Sequence, residues 1–461
     1  MKKSMGIITI FLFANGAFAS NIAIIDSGTD YQHKLLAPHT LTNKGEVANN
    51  GKDDDGNGYI DDVLGWNFAE NNNQIIDYKY VGTFSPDVPK FFEIQTKILR
   101  GRATPADQEW IKQKREDQDF IKELMKFGNF VHGSHVTGIS VVNAIGNKTT
   151  GVKLIPTEQG ASALWVKEQL SSFVQMNEEG DDMLQKMLLK MGLAQLAKQQ
   201  SELLAKVGQY VSSRHAHVAN GSFGTGKMVA QIIVGQLFQM IVGREPTPEE
   251  LQEFSKAFLQ NMVDEGKAFV DAAPNTLFVF AAGNDANNND EMPTSPANIK
   301  TDNTMSVAAT LDRGKLASFT NYGQQTVDVA APGVGILSSI PGNPGENTLM
   351  TLSGTSQAAP YVANAAGQVR DANPKLKPAE IRQILMGTVD KKDFLADKVV
   401  SGGVVNPKRA ARAATLSRKM GVDQAIEAAN RTIRDMPSRL GIFDVDMEKD
   451  LFVLPLPSLV N

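Results

Sequence analysis

A serine at the start of a small-residue segment is the first candidate for chemistry in this chain of 461 residues. The segment Gly354–Pro360 reads GTSQAAP, so Ser356 follows a glycine turn and precedes two alanines that favour a helix. A helix that begins at Ser356 would direct free N–H groups at negative charge developing beside the hydroxyl. The alternative is an ordinary helix cap. A nucleophilic serine also needs a base and an oxyanion hole, so partners elsewhere decide between the two.

Two other segments offer an acid and a base. Asp26 ends the apolar run Ile22–Ile25, which is typical of a buried strand, and sites form at the carboxyl ends of parallel strands. Its carboxylate could accept Nδ1–H from a histidine, although Asp at a strand end more commonly caps the next turn. His132, in the sequence HGSHVTG, is predicted to open a helix with a small-residue face. His135 is interpreted as a packed histidine, since a His-x-x-His metal site lacks the zincin glutamate here.

A third segment could complete an oxyanion hole. Thr276–Asn284 is an apolar run that ends in small residues and one asparagine. The amide of Asn284, held on a glycine turn, could donate to an oxyanion. The alternative is that Asn284 belongs to a polar loop, because three more asparagines follow at Asn287, Asn288 and Asn289.

These four motifs, in this order, resemble those of the subtilisin-like serine peptidases, or subtilases, over roughly residues 21–415. The resemblance implies that Asp26 orients the general base His132 and that Ser356 is the nucleophile. It makes Asn284 the oxyanion donor, together with the backbone N–H of Ser356. Small departures from the family motifs, none at a role-bearing atom, occur at Ser134, Thr137, Gln357 and Tyr361.

The resemblance also implies where a peptide would bind. Ser222, Phe223 and Gly224 resemble the family's substrate strand, whose backbone pairs antiparallel with the peptide and forms one wall of the specificity pocket. Ala282 and Gly283 resemble the facing wall. The implied function is peptide-bond hydrolysis through an acyl-enzyme, with proteins or peptides as substrates. The alternatives are a restricted processing or peptide-joining subtilase and a non-catalytic binding protein of the same shape, against which the complete residue set argues.

The fold implied is α/β, with a mainly parallel central sheet, helices on both faces and helical insertions. The catalytic domain is expected over 20–415, with insertions at about 70–128, 162–213 and 227–269. Within the first insertion, Thr104 is expected to cap a helix that continues to about Lys126. A Met-rich stripe in the insertions is more often core, and our sharper hypothesis is a lid or an intramolecular inhibitor. The extension 416–461 is expected to be a docking tail or a cleaved segment.

Composition and the first residues suggest an exported protein. The net charge of −5 and the absence of a basic run argue against nucleic acid as a main partner. Residues 1–19 resemble a secretory signal, and no later apolar run is long enough to span a membrane. We therefore expect a periplasmic or extracellular protein. The first strand follows the predicted cleavage site closely, so no folding pro-domain is expected between them. The chain has no cysteine, which excludes disulfides and thiolate chemistry.

An acidic loop is predicted to bind calcium. Residues 53–62 read DDDGNGYIDD, in which oxygen ligands alternate and a glycine occupies a turn position. A similar loop occurs in some subtilases, but this one is not an EF-hand because its twelfth position is Leu64. The alternative is a solvated acidic turn. The expected ligands are the side chains of Asp53, Asp55 and Asn57, the carbonyl of Tyr59, and Asp61 or Asp62.

Overall fold

The computed structural model describes residues 19–144, 146–158, 181–438 and 451–459. The predicted signal segment up to residue 18 and the first part of the second insertion, residues 162–180, lie outside the described residues.

A sheet of ten strands forms the centre of the described chain. The spatial order is β11-β12-β8-β6-β5-β4-β1-β3-β2, and β7 pairs with β6. All pairings in this sheet are parallel except β6–β7 and β11–β12, and a separate antiparallel hairpin is formed by β9 and β10. The strands are β1 (Asn21–Asp26), β2 (Gly65–Asn67), β3 (Lys148–Lys153), β4 (Val218–Gly221), β5 (Leu277–Ala281), β6 (Thr304–Leu311), β7 (Lys315–Leu316), β8 (Val329–Pro332), β9 (Ile336–Ser339), β10 (Leu349–Leu352), β11 (Asp390–Lys391) and β12 (Gly403–Val404).

Eleven α-helices are described around these strands. They are α1 (Asp87–Leu99), α2 (Pro105–Glu116), α3 (Gln118–Val141), α4 (Asp182–Ser213), α5 (Lys227–Val242), α6 (Pro248–Glu265), α7 (Lys267–Asp271), α8 (Thr355–Ala372), α9 (Pro378–Gly387), α10 (Pro407–Leu416) and α11 (Val422–Thr432). None of the described helices is long and apolar enough to cross a membrane.

The central strands bury both faces because successive side chains point to opposite sides. On β1, Ile22 and Ile24 join the core formed with α3, α8, α9 and α10, whereas Ala23 and Ile25 join the core formed with α4 and α7. On β5, Val279 belongs to the first core and its neighbours Phe278 and Phe280 to the second. The predicted α/β fold, with a mainly parallel sheet covered by helices on both faces, is confirmed.

The register of three strands sets the position of the site. The end of β1 lies beside the end of β4, with Ile25 opposite Gly221, and Gly221 in turn lies opposite Phe280 of β5. The residues that follow these strands therefore emerge at one edge of the sheet, as parallel pairing requires. This edge gathers Asp26 and the loops after β4 and β5.

Two helix predictions are wrong in their boundaries. His132 does not open a helix, because α3 begins at Gln118 and continues through it to Val141. The expected helix from Thr104 to about Lys126 is two helices. Thr104 caps α2 as predicted, but Asp117 then accepts hydrogen bonds from the backbone of Asp119 and Phe120 and starts α3. A second capping side chain thus divides the predicted helix.

The helices of the second and third insertions mainly pack on each other. The first half of α4 shares an apolar core with α5 and α6, built from residues such as Leu189, Phe238 and Phe258. The second half of α4 joins the sheet, where Val207 and Val211 pack in the same core as Phe278.

Candidate active site

The loop after β1 and helix α3 meet at two glycines. A Cβ added at Gly133 would lie 2.2 Å from the carbonyl oxygen of Gly28, so helix and loop approach more closely than a side chain would allow. This approach brings the preceding residue, His132, to the end of β1. Its Nδ1 lies 2.6 Å from Oδ1 of Asp26, an atom that also accepts the backbone N–H of Ser27. An ionised carboxylate accepts hydrogen bonds, so Nδ1 carries the proton and Nε2 can act as a base.

Helix α8 starts at Thr355, so Ser356 occupies its first turn. Ser356 Oγ donates to the carbonyl of Ser222 at 3.4 Å, and Ser222 Oγ donates to the carbonyl of Ser356 at 3.1 Å. Ser356 and His132 line the same cavity, together with Asn284. The nucleophile candidate is thereby held against the predicted substrate strand and beside the histidine.

Thr355 orients the amide of Asn284. Asn284 Oδ1 accepts from both the backbone N–H and the hydroxyl of Thr355, at 2.9 and 2.8 Å. With the oxygen so held, the NH₂ group remains free to donate elsewhere, and Nδ2 donates to the carbonyl of Leu454 at 3.0 Å. Thr355 was not a predicted site residue. Its position between a turn glycine and the serine was the signal available in the sequence.

The five predicted substrate-binding residues surround these groups, although they do not line the remaining cavity. The backbone N–H of Gly224 donates to the carbonyl of Pro457 at 2.9 Å. The side chain of Phe223 instead packs in the core with Phe278 and Phe280, so it does not form a pocket wall. Ala282 is buried and Gly283 N–H donates to the hydroxyl of Thr355 at 3.2 Å.

Three elements cover the site, and of these the sequence hypothesis of a lid included only the first insertion, to which α1 belongs. The cavity beside Ser356 and His132 is lined by α1, by β10 with the residue after it, and by the chain from residue 451 onward. Its volume is about 20 Å³, which is room for roughly one water molecule. Ser356 and His132 are each only 3% exposed. The covering residues are Phe92, Gln95, Leu99, Thr351, Leu352, Ser353, Leu451, Phe452 and Leu454.

His135 differs in its environment from His132, the other histidine of the motif. Its Nε2 lies 3.1 Å from the carbonyls of Ile336 and of Met350, so this nitrogen must carry the hydrogen. Burial lowers the pKa of His135 to about 3, because the charged ring would be desolvated. His135 is thus a neutral packing histidine, as the sequence suggested, and it joins α3 to β9 and β10.

Part of the predicted calcium loop forms an acidic cluster. One carboxylate oxygen each of Glu46, Asp55 and Asp62 lies within 4.8 Å of the other two. Calcium binds oxygens at about 2.3–2.6 Å, so three oxygens at this spacing fit around one ion. The charge of buried Asp62 is also paired within the protein, because its Oδ2 accepts from Tyr210 and Arg214 at 2.7 and 3.1 Å. Glu46 precedes the alternating pattern, so no feature of the sequence pointed to it.

Of the other predicted ligands, the carboxylates of Asp53 and Asp61 are not members of that cluster and shape the loop. Asp53 accepts the backbone N–H of Gly58, and Asp61 that of Gly51. The amide of Asn57 donates to Asp62 at 3.2 Å, and the ring of Tyr59 packs edge-on against aromatic neighbours.

The site thus brings a carboxylate, a histidine, a serine and an amide together at the carboxyl edge of a parallel sheet, which is what a serine nucleophile requires. A family model described as the subtilase family matches residues 19–406. This chain belongs to the subtilase family.

Curated relatives are similar to parts or to most of the chain. Subtilisin-like protease 1 of Plasmodium vivax is 27% identical over 414 residues, covering 88% of this chain and 49% of that protein. The extracellular basic protease of Dichelobacter nodosus is 34% identical over 170 residues, covering 34% and 27% of the two chains. The cell wall-associated protease of Bacillus subtilis is 41% identical over 129 residues, covering 28% and 13%. The chain spans about half the length or less of these relatives.

Among solved structures, a cold adapted subtilisin-like serine proteinase is similar with a TM-score of 0.40 and 17% identity, covering 83% of this chain and 88% of the other. A lanthipeptide protease is similar with a TM-score of 0.43 and 15% identity, covering 85% and 86%.

Proposed function

We propose that this subtilase is a serine endopeptidase that hydrolyses peptide bonds through an acyl-enzyme on Ser356. The observation that carries the proposal is the 2.6 Å contact between His132 Nδ1 and Asp26 Oδ1, made by a histidine that lines one cavity with Ser356 and Asn284. Membership of the subtilase family and relatives named as proteases support it.

Each residue takes one role in the proposed reaction. His132 Nε2 accepts the proton of Ser356 as Oγ attacks the substrate carbonyl, and Asp26 stabilises the imidazolium that forms. The oxyanion receives hydrogen bonds from Asn284 Nδ2 and from the backbone N–H of Ser356. His132 then gives its proton to the leaving amine. Water attacks the acyl-enzyme with His132 again as base, and the carboxylic acid product leaves.

The substrate backbone before the scissile bond would pair antiparallel with residues 222–224. Gly224 N–H supports this proposal, since it already donates to a backbone carbonyl, that of Pro457. Ala282 and Gly283 would form the facing side of the cleft. Because Phe223 points into the core, substrate selection would rest on the backbone of this segment and on the cover contributed by α1.

Labelling by a fluorophosphonate probe tests the nucleophile. We expect prolonged incubation to label the purified chain, and Ser356→Ala to abolish the label. Ser353→Ala is the matched control, because Ser353 lines the same cavity three residues earlier and has no proposed role. Equal labelling of Ser356→Ala and the unaltered chain would reject Ser356 as nucleophile.

A narrow substrate range, as in a processing or peptide-joining peptidase, is the second candidate. It is favoured by the aromatic cover that leaves about 20 Å³ beside Ser356. Comparing hydrolysis of casein with hydrolysis of a library of short peptides distinguishes the two. Rapid, general digestion of casein would reject the narrow range.

We further propose export to the periplasm or the extracellular space. Two relatives named as an extracellular protease and a cell wall-associated protease support this, together with the signal-like residues 1–19. Fractionation of the native host, with mass spectrometry of the protein's first residue, tests it. Recovery from the cytoplasm with residues 1–19 intact would reject export.

We also propose that calcium binds between Glu46, Asp55 and Asp62, where it would stabilise the loop without taking part in the reaction. The support is an all-oxygen set of suitable spacing. Asp53 and Asp61 would hold the loop in shape, and the side chain of Asn57 and the carbonyl of Tyr59 would add further oxygen ligands.

A further inference from the structure

Residues 451–459, the tail segment, lie across the candidate active site. The carbonyl of Leu454 accepts the hydrogen bond of Asn284 Nδ2 at 3.0 Å. That amide is the group proposed to bind the substrate oxyanion. A carbonyl of the chain's own tail therefore occupies the position that a substrate carbonyl needs.

Apolar packing holds the tail segment in the cleft. Leu451 and Leu456 are 9% and 6% exposed and join the core shared by the sheet and α8. The ring of Phe452 lies edge-on to that of Phe91 on α1, with centroids 5.4 Å apart. Leu454 packs where α3 has a glycine, Gly128, at which an added Cβ would lie 2.8 Å from the leucine Cδ1. The leucines of the tail segment therefore fill apolar space in the cleft.

Polar contacts fix both ends of the tail segment. At its start, the backbone N–H of Phe452 donates to Gln95 Oε1 of α1 at 3.0 Å. At its end, the carbonyl of Pro457 accepts from Gly224 N–H at 2.9 Å. The hydroxyls of Ser458 and Thr225 lie 3.1 Å apart.

The tail segment runs opposite to a substrate. Leu454 lies at Asn284, and Pro457 lies at Gly224, two residues beyond Ser222, which contacts Ser356. The tail therefore leads away from the nucleophile in the same direction as residues 222–224, so the two segments run parallel. A substrate in the proposed mode pairs antiparallel with residues 222–224. The tail thus places its C-terminal half where the N-terminal half of a substrate would bind.

This direction protects the tail from the chemistry beside it. The nitrogen that would leave from the Leu454 carbonyl is that of Pro455, and in the reversed direction it lies toward Gly224. A substrate in the proposed mode would have its leaving nitrogen on the opposite side of Ser356. The proline nitrogen also has no hydrogen and its ring carbons crowd it. Attack on this carbonyl would therefore not be followed by proton transfer from His132 to the leaving group.

We propose that residues 451–459 are an intramolecular inhibitor that binds the substrate cleft in the direction opposite to a substrate. The inference rests on the proposed peptidase function. It assigns to the C-terminal segment the inhibitory role that our sequence hypothesis gave to the helical insertions. The described parts of the second and third insertions line no part of the cavity beside Ser356.

The first test is Leu454→Asp in the full chain. A charge on this apolar contact should release the tail, because an unpaired carboxylate is costly to bury. We expect probe labelling of Ser356 and hydrolysis of a short chromogenic peptide to rise about tenfold or more, equivalent to about 1.4 kcal/mol of lost docking free energy. Leu35→Asp, at an exposed leucine outside the cleft, is the matched control and should change neither rate. Leu454→Ala gives a smaller release should the aspartate variant fail to fold.

The outcomes distinguish failure of the inhibitor proposal from failure of the proposed peptidase function. A folded, active Leu454→Asp with the rate of the unaltered chain would overturn the inhibitor and leave the peptidase standing. Failure of Ser356 to label in every variant would overturn the peptidase itself.

The second test adds the tail segment as a separate peptide to the Leu454→Asp variant. The peptide LFVLPLPSL, residues 451–459, should inhibit Leu454→Asp competitively and be recovered intact, whereas a scrambled peptide should not inhibit. A peptide with Pro455→Ala should also remain intact, because direction rather than proline alone prevents cleavage. Cleavage of either peptide after residue 454 would overturn the reversed direction.

Discussion

The floor and the cover of the cleft are built in different ways. The floor consists of Asp26, His132, Asn284 and Ser356, which stand at strand ends and on helices that pack on the sheet. Directional hydrogen bonds position its acid, base and amide, such as the 2.6 Å bond of His132 and the two bonds that Asn284 Oδ1 accepts. The cover consists of α1, β10 and the tail segment, and apolar packing dominates it.

This contrast indicates that the catalytic geometry of the floor and the access of substrate past the cover can be controlled separately. Directional hydrogen bonds set the geometry of the floor, and a displacement of about 1 Å there is enough to lower the rate by about 10²-fold. Apolar packing is non-directional and can be exchanged for other apolar groups, such as those of a substrate. The cover can therefore detach from the cleft without changing the hydrogen-bond geometry of the floor. The two regions should respond to mutation in different ways.

The largest expected effect comes from the acid of the floor. Asp26→Asn preserves shape but offers an amide that can donate to Nδ1, which favours the wrong tautomer of His132. We expect kcat to fall by about 10⁴-fold while the chain remains folded. The measurement is hydrolysis of a chromogenic peptide in the Leu454→Asp background, where the cover is released.

Asp30→Asn is the control for the loss of a buried carboxylate in the same loop. Asp30 accepts hydrogen bonds from Gln32 N–H and from Tyr78 and contacts no proposed reacting group. We expect it to lower stability and to leave kcat within about threefold, since its partners are structural. An Asp26→Asn variant that retains kcat would show that the floor does not work through this acid.

Removal of the Asn284 amide from the floor should lower kcat less than the substitution of Asp26. Asn284→Ala removes one oxyanion donor, which we expect to lower kcat by about 10²–10³-fold. The Leu454→Asp background again removes the tail from the comparison. Asn288→Ala, in the same asparagine-rich loop but hydrogen-bonded to Glu291, is the matched control and should keep kcat. An equal loss in both variants would indicate loop damage instead of oxyanion binding.

The floor could be predicted from the sequence to a greater extent than the cover. Short motifs name its residues because strand ends and glycine turns are local features, as around Asp26 and Ser356. The start of α3 was missed because Gly128 and Asn129 weaken helix propensity before His132, whereas their burial in the folded chain accompanies a continuous helix. The cover brings Phe452 to α1, where its ring packs on Phe91 and its backbone N–H donates to Gln95, and no local pattern specifies such long-range contacts.

His135 joins floor and cover, so its titration should loosen their connection. Folded His135 stays neutral to about pH 3, whereas the unfolded histidine binds a proton below its ordinary pKa of 6.5. Between these values the unfolded state binds more protons, so stability falls as the pH falls, by up to about 1.4 kcal/mol per pH unit. His217, whose pKa is lowered to about 4 by burial, adds in the same direction.

Urea unfolding at pH 6 and pH 5 measures this slope. His135→Gln should be less stable at both values but should lose less stability between them than the unaltered chain. His39→Gln is the control, because His39 is only half-buried, at the end of a short 3₁₀ helix. Equal pH dependence in His135→Gln and the unaltered chain would contradict a buried neutral histidine.

The acidic loop should have the smallest effect, because it lies outside both floor and cover. Its Asp62 contacts Tyr210 and Arg214 of α4 and the residue after it, on the face of the sheet opposite α8. We expect calcium to raise the melting temperature by roughly 2–4 °C and to leave kcat unchanged. Glu46→Gln should remove most of that rise, whereas Asp54→Asn, a loop carboxylate outside the cluster, should lower the melting temperature equally with calcium and with EDTA. A calcium-dependent kcat would instead couple this loop to the floor, and the separation of stability from chemistry would fail there.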